Sequence, residues 1–306
     1  MKKHWYLWLI GAFTLVIVAL AGTLAFWPKP SAKYKKYVYA DHEEHINYAY
    51  GAQQRHKMDF YLPLANNSVG LILFIHGGGW TAGDKEVYRS SLAEWCQRGY
   101  AAMAVNYRYA DQTTITNNQI MDDITLALVS AKKLAQEKGV ALTKMLLTGG
   151  SAGGHLSLMY AYSKGDVSPV TPGCVVSFCG PTDLADLNFY DKTNPLYDAL
   201  CKMVSAVAGY EVNAETVEEA MPFLTQASPV HYADASRVVP TVICHGQQDN
   251  IVPYSNATEL YALLQAIGVR TDLVSFPNSG HGLDQDSDKM QQANNLMLEY
   301  AETYLV

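Results

Sequence analysis

Three features of this chain predict the α/β class, with a mostly parallel central sheet covered by helices on both faces. Short apolar runs alternate with longer stretches of helical period, the pattern of strands joined by covering helices. Loops that carry reactive side chains follow several of those runs, and in a parallel sheet such loops collect at one edge. Of the 306 residues, about 30 at the N-terminus form an apolar segment and its exit, and the remainder suits one α/β domain. The expected organisation is a membrane anchor or signal segment over 1–30 and a folded domain over 31–306.

Taken in order, residues 34–39, 47–50 and 57–62 read as strands of an antiparallel edge. The unbroken apolar run 69–75 is a strand buried on both faces. A helix over 89–98 and a strand over 101–106 follow, then a long helix over 117–138. The apolar run 145–147 leads through a sharp glycine turn into another helix. Residues 175–178, 241–244 and 273–276 complete the strands, with helices over 255–267 and 289–304. Between the 175–178 and 241–244 strands, residues 184–225 form a small cap insertion. Its Phe189, Tyr190, Tyr197, Met203, Val204, Val207, Tyr210, Met221 and Phe223 either pack on the core or line a concave apolar pocket.

The glycine turn reads Gly149-Gly150-Ser151-Ala152-Gly153. In a G-x-S-x-G strand–turn–helix the serine takes a strained backbone conformation, and small neighbours are needed where strand and helix backbones crowd together. Ser151 would then stand above the sheet as a nucleophile; taken alone, the pentapeptide fits an inert turn about as well. His76-Gly77-Gly78-Gly79-Trp80 leaves the end of the 69–75 strand. Bare N–H groups on such a loop can approach a developing oxyanion, and removing one such donor typically costs about 3–4 kcal/mol of barrier. The expected donors are Gly77, Gly78 and Ala152. Without Ser151 downstream, the same glycines would serve only a tight turn.

A serine hydroxyl is a poor nucleophile unless an imidazole takes its proton and a carboxylate orients that imidazole. Asp249 follows the 241–244 strand in His245-Gly246-Gln247-Gln248-Asp249, and His281 follows the 273–276 strand in Asn278-Ser279-Gly280-His281-Gly282. Both fall at the expected sheet edge. Asp183, just past the 175–178 strand, is the rival carboxylate. His155 lies one helical turn beyond Ser151 and reads as a packing or hydrogen-bonding residue, and His245 as a structural residue at a strand end. His42, His45, His56 and His231 have no spacing that suggests catalysis. The chain order Ser, Asp, His is that of the α/β-hydrolase scaffold and differs from the other two well-known serine triads.

Together with Tyr50-Gly51, Met58-Asp59-Phe60-Tyr61-Leu62-Pro63, Thr81-Ala82-Gly83-Asp84-Lys85, Asn106-Tyr107-Arg108 and Ser228-Pro229-Val230, these motifs make the chain resemble the α/β-hydrolase esterases. It is similar to the bacterial feruloyl and acetyl-xylan esterase-like enzymes and to the hormone-sensitive-lipase-like carboxylesterases, over nearly everything after the N-terminal segment. The resemblance implies serine-dependent ester hydrolysis with no cofactor or metal: Ser151 attacks, His281 shuttles the proton and Asp249 orients His281. The expected partner is a small-molecule ester with a short-chain or aromatic acyl group, carbohydrate-linked esters included, and Trp80 and Tyr107 are the expected pocket walls. One departure is Gly150, where lipase-like relatives more often carry a bulkier residue, so the elbow gives no guide to substrate. The lack of a large lid argues against long-chain triglyceride. Amide or peptide cleavage by the same triad is the alternative activity, and a non-catalytic binding module the alternative class; an intact triad disfavours the latter.

Lys2 and Lys3 precede an uncharged stretch over 5–27, which as a helix at 1.5 Å per residue spans the roughly 30 Å hydrocarbon core of a bilayer. The positive flank predicts a cytoplasmic N-terminus with the folded domain outside the membrane. A cleaved signal peptide and a secreted domain are the alternative, since Ala19-Leu20-Ala21 and Thr23-Leu24-Ala25 fit a cleavage pattern. The length of the stretch and its closing Phe26-Trp27 favour an uncleaved anchor. The net charge of −7 disfavours nucleic acid as a partner, and the basic cluster over 33–36 reads as a solvated juxtamembrane stretch. Buried thiols are the default for Cys174, Cys179 and Cys244; Cys174 and Cys179 are expected to face opposite sides of one strand, and Cys96 and Cys201 could bond only if the fold brings them together. Asp284, Asp286 and Asp288 lack the glycine and closing glutamate of an EF-hand, so they read as charge at the start of the last helix.

Overall fold

The computed structural model describes residues 42–305. The expected 34–39 strand and the apolar 5–27 segment, with its anchor and signal readings, lie outside the described residues. No helix among the described residues is long and apolar enough to cross a membrane.

Eight strands form one sheet: β1 (His42–Ala49), β2 (Lys57–Pro63), β3 (Ser68–Ile75), β4 (Ala101–Val105), β5 (Ala141–Gly150), β6 (Thr171–Phe178), β7 (Thr241–Gly246) and β8 (Thr271–Phe276). Their spatial order is β1-β2-β4-β3-β5-β6-β7-β8. β2 runs antiparallel to β1 and β4, and every other pairing is parallel. The helices are α1 (Arg89–Gln97), α2 (Asn117–Glu137), α3 (Ala152–Lys164), α4 (Tyr197–Ala208), α5 (Val217–Gln226), α6 (Ser255–Ile267) and α7 (Ser287–Tyr304).

Successive strand side chains point to opposite faces, so each inner strand feeds two cores. Leu71, Leu73 and Ile75 of β3 enter the core shared with α2, α3 and α6. Ile72 and Phe74 enter the second core, beneath α1 and α7. That double burial is why β3 reads as an unbroken apolar run. Helix α2 starts where Gln119 Oε1 accepts the Thr116 backbone N–H at 3.0 Å, half of the reciprocal arrangement that satisfies free donors at a helix start.

β1 begins five residues earlier than the apolar pattern suggests, because it is an exposed edge strand of sequence HEEHINYA. Polar edges of this kind discourage pairing with other chains. Its register slips between His45 and Tyr48, where Asn47 takes φ 53° and its N–H donates to buried Asp59 at 2.8 Å. The same carboxylate binds Lys85 Nζ at 2.8 Å, with both side chains buried.

The β6–β7 connection carries α4 and α5 and packs Phe189, Val204, Val207 and Leu224 onto the first core. The five cysteines are buried and unbridged. Cys174 and Cys179 do not follow the expected alternation: Cys179 lies one residue past β6 at φ 47°, and this turn brings both side chains into the second core. Cys96 and Cys201 fall in opposite cores, so the sheet separates them.

Candidate active site

The loops that follow β3, β5, β7 and β8 at one edge of the sheet carry the candidate residues. β5 ends at Gly150 and α3 starts at Ala152, leaving Ser151 alone at the turn with φ 56° and ψ −125°. A non-glycine residue held in this region is strained and persists only where its surroundings fix it. Here the Ser151 N–H donates to the Phe178 carbonyl at 2.7 Å, and its own carbonyl accepts the His155 N–H at 3.0 Å. A Cβ at Gly149 would lie 2.2 Å from the Ile75 carbonyl oxygen, and one at Gly153 would lie 2.0 Å from the same atom. Gly150 differs: the nearest atom to its would-be Cβ is 3.9 Å away. The elbow therefore requires its first and last glycines but not the second.

The glycine loop leaves β3 and turns against this elbow. A Cβ on Gly77 would come within 2.7 Å of the Gly150 carbonyl oxygen. Gly78, Gly79 and Trp80 all have positive φ, at 111°, 56° and 59°. Ala152 is the first residue of α3, where N–H groups have no intrahelical partner and the helix dipole is positive. Gly79, which sequence reasoning passed over, is the loop glycine that lines the cavity beside Ser151.

Two buried imidazoles brace this loop. His76 accepts from Arg55 Nη2 at 3.2 Å through Nε2; an arginine cannot accept, so the proton sits on Nδ1 and is donated to the Gly77 carbonyl at 2.8 Å. His155 accepts the Trp80 indole N–H at 3.1 Å through Nδ1 and donates from Nε2 to the Ala227 carbonyl at 2.7 Å. Burial pushes each of these histidines down to about 4, which agrees with the neutral forms the hydrogen bonds require. Trp80 lines the cavity. Tyr107, expected as a second wall, is instead fully buried. It stacks on His76 with ring centroids 4.3 Å apart and donates its hydroxyl to the His76 carbonyl at 3.0 Å, so it supports the loop from below.

Asp249 and His281 meet across the loops after β7 and β8. Asp249 Oδ2 accepts from His281 Nδ1 at 2.7 Å, while Oδ1 accepts the Ile251 and Val252 N–H groups at 2.8 and 2.9 Å. Burial alone would raise this carboxyl, but His281 and His245 outweigh it and hold the group well below the usual carboxylate range. The loops are locked together: Gln248 N–H donates to the Ser279 carbonyl at 3.1 Å, and a Cβ on Gly246 would lie 2.3 Å from the Gly280 carbonyl oxygen. Asp286 accepts from the Ser279 hydroxyl at 2.6 Å and the Asn278 amide at 2.7 Å, so this acidic residue fixes the His281 loop. The rival Asp183 is engaged elsewhere, accepting from the Ala185 N–H at 2.9 Å and the Ser228 hydroxyl at 3.2 Å.

Cys179, His245 and Asp249 are the described residues that could hold a metal ion, with donor atoms all within 4.8 Å of one another. Such an ion would take the Asp249 carboxylate that His281 and two backbone N–H groups already share.

The cap closes over Ser151. Phe189, Leu200, Met203 and Val204 form one wall of an apolar cavity of about 30 Å³. Gly79, Trp80, Ser151, Pro181, Ile251 and Val252 complete the lining.

The BD-FAE family model matches residues 58–264, from β2 into α6, a span that holds Ser151 and Asp249 and stops before His281. Among characterised relatives, "Probable carboxylic ester hydrolase LipM" of Mycobacterium tuberculosis is 29% identical over 225 residues, covering 70% of this chain and 49% of its own. "Isoprenylcysteine alpha-carbonyl methylesterase ICME" of Arabidopsis thaliana is 24% identical over 242 residues, covering 76% of this chain and 55% of its own. The chain thus spans about half the length of these relatives. A truncated carbohydrate esterase from gut microbiota shares the fold, with a TM-score of 0.66 at 20% identity over 88% of this chain and 99% of that one. With the family match extending over more than half of its length, this chain belongs to the BD-FAE family and is built on the α/β-hydrolase fold.

Proposed function

We propose that this protein is a serine carboxylic-ester hydrolase that works through an acyl-enzyme. The observation that carries the reading is the 2.7 Å bond from His281 Nδ1 to Asp249, at the same sheet edge as a serine held at φ 56°. The bond fixes the imidazole tautomer and leaves Nε2 as the basic nitrogen. That Nε2 is buried and has no hydrogen-bond partner, so its lone pair is uncommitted. In the proposed cycle His281 Nε2 takes the Ser151 proton as Oγ adds to the ester carbonyl. N–H groups of Ala152 and of the glycine loop at Gly77 and Gly78 hold the oxyanion. The C–O bond then breaks as His281 returns the proton to the leaving alcohol, and water repeats the sequence on the acyl-serine.

Ester substrates fit the names of these two relatives, both ester hydrolases. The fold neighbour, a carbohydrate esterase, keeps carbohydrate-linked esters among the substrates to be tried. A position outside the cytoplasmic membrane, tethered through 5–27, belongs to the same proposal and rests on the sequence. β1 runs parallel to the inner strands, so residue 42 starts at the sheet edge opposite Ser151.

The test is hydrolysis of a p-nitrophenyl ester series by the full chain beside Ser151→Ala. The reading predicts turnover that falls by about 10⁴-fold or more in the variant; equal rates in both proteins would remove it.

A further inference from the structure

We infer that the cavity beside Ser151 is the acyl subsite, that it is sized for a plain short acyl chain, and that Met203 limits its volume. This inference rests on the ester-hydrolase reading above and narrows its substrate class.

The side of the site follows from the proton path. His281 must hand its proton to the leaving alcohol, so the alcohol has to lie beside the imidazole. The cavity is lined by the glycine loop, the cap and the residues after Asp249, and His281 is not part of its lining. It therefore receives the half of the ester that stays on Ser151.

Size and polarity then restrict the acyl group. An engineered protein cavity of about 150 Å³ binds benzene. The cavity here is about 30 Å³, a fifth of that volume, room for about one or two carbons beyond the carbonyl and not for an aromatic ring. Ser151 supplies the one side-chain hydroxyl on its wall. The Trp80 indole N–H is already given to His155 at 3.1 Å. A ring hydroxyl or a charged tail would find no partner there, and a buried polar group without one is unfavourable.

Met203 lines the cavity against the glycine loop. A Cβ on Gly79 would fall 2.0 Å from its sulfur, so the thioether lies directly against the glycine loop. The flanking residues of that wall are Leu200 and Val204, one turn back and one residue on along α4. Methionine is the unbranched, adaptable member of the wall, and shortening it enlarges the space beside Ser151.

The experiment measures kcat/KM for p-nitrophenyl esters from acetyl to decanoyl, with p-nitrophenyl benzoate and methyl ferulate, for the full chain, Met203→Ala and Leu200→Ala. Labelling of Ser151 by a fluorophosphonate in each protein reports independently that the nucleophile is intact. The native chain should peak between acetyl and butyryl and should turn over the aromatic esters poorly. Met203→Ala should move the optimum by two or more carbons and raise the octanoyl-to-butyryl ratio by about tenfold or more. Should that variant fail to fold, Leu200→Ala is expected to move the optimum in the same direction. A native preference for octanoyl or feruloyl esters, or unchanged chain-length profiles in folded, labelled variants, would overturn the inference while leaving the hydrolase reading in place. Absence of both labelling and hydrolysis in the native chain would overturn both.

Discussion

The elbow and the cap face each other across one cavity and are built in opposite ways. At the elbow, backbone meets backbone: the Ile75 carbonyl sits where side chains on Gly149 or Gly153 would have to go. The cap lines the cavity with four large apolar residues, Phe189, Leu200, Met203 and Val204. A backbone contact cannot be relieved by changing a rotamer, whereas cap side chains can be exchanged for others of similar volume at modest cost. The difference teaches where chemistry and selectivity reside. Single atoms should matter in the floor, and side-chain volume should matter in the cap.

The sharpest way to break this comparison is at the carboxylate. Asp249→Asn keeps the shape of the floor but disturbs the His281 tautomer, so kcat on an acetyl ester should fall by about 10⁴-fold. Asp183→Asn, at the root of the cap, alters a carboxylate that bonds Ala185 and Ser228, and should cost less than about tenfold. The opposite ranking in steady-state kinetics would move the acid to Asp183.

A smaller effect separates glycines within the elbow itself. Gly149→Ala and Gly153→Ala should each lower unfolding free energy by about 3 kcal/mol or more, because the new methyl meets a backbone carbonyl. Gly150→Ala should change it by less than about 1 kcal/mol, its methyl making only an ordinary contact with the Phe178 carbonyl and the unfolded chain losing freedom. Urea midpoints for the three proteins measure this directly, and three equal shifts would contradict the backbone-contact account.

The smallest and most gradual effect is that of pH on stability. His76 and His155 are pushed down by burial from 6.5 to about 4, so between those values the unfolded chain binds protons that the folded chain refuses. Stability present above pH 6.5 is therefore lost as the pH falls toward 4, by at most about 3 kcal/mol for each group. Urea midpoints between pH 7.5 and 4.5 should decline through that window. A flat profile would mean that these braces of the floor accept protons in place.

The same contrast explains what could be read from the chain. The placement of Ser151, Asp249 and His281 at one sheet edge could be read because each follows an apolar strand run and stands in a loop whose glycines have a steric reason. The inner strands were legible because burial on both faces leaves runs such as 69–75 without a polar residue. β1 was harder to bound, since an exposed edge strand of sequence HEEHINYA has no apolar period to detect. Tyr107 was misplaced because an aromatic next to a functional loop carries no mark of whether it faces the cavity or supports the loop from beneath. Asp286 read only as helix-start charge, since its bonds to Asn278 and Ser279 span a turn that composition does not encode. Cys179 escaped the alternation rule because the chain leaves β6 one residue before it. The cap was recognisable as an insertion, but its contribution to the cavity depends on how α4 docks, and that is decided by tertiary packing rather than local pattern.

The central claim is tested most directly by trapping the covalent intermediate. The full chain is mixed with excess p-nitrophenyl acetate, quenched in acid within milliseconds and digested, and the peptides are weighed by mass spectrometry. The account predicts one acetyl group, on the peptide that contains Ser151, appearing with the initial burst of nitrophenol and absent from Ser151→Ala. Steady turnover with no acetyl on that peptide, or with the acetyl on another residue, would contradict it.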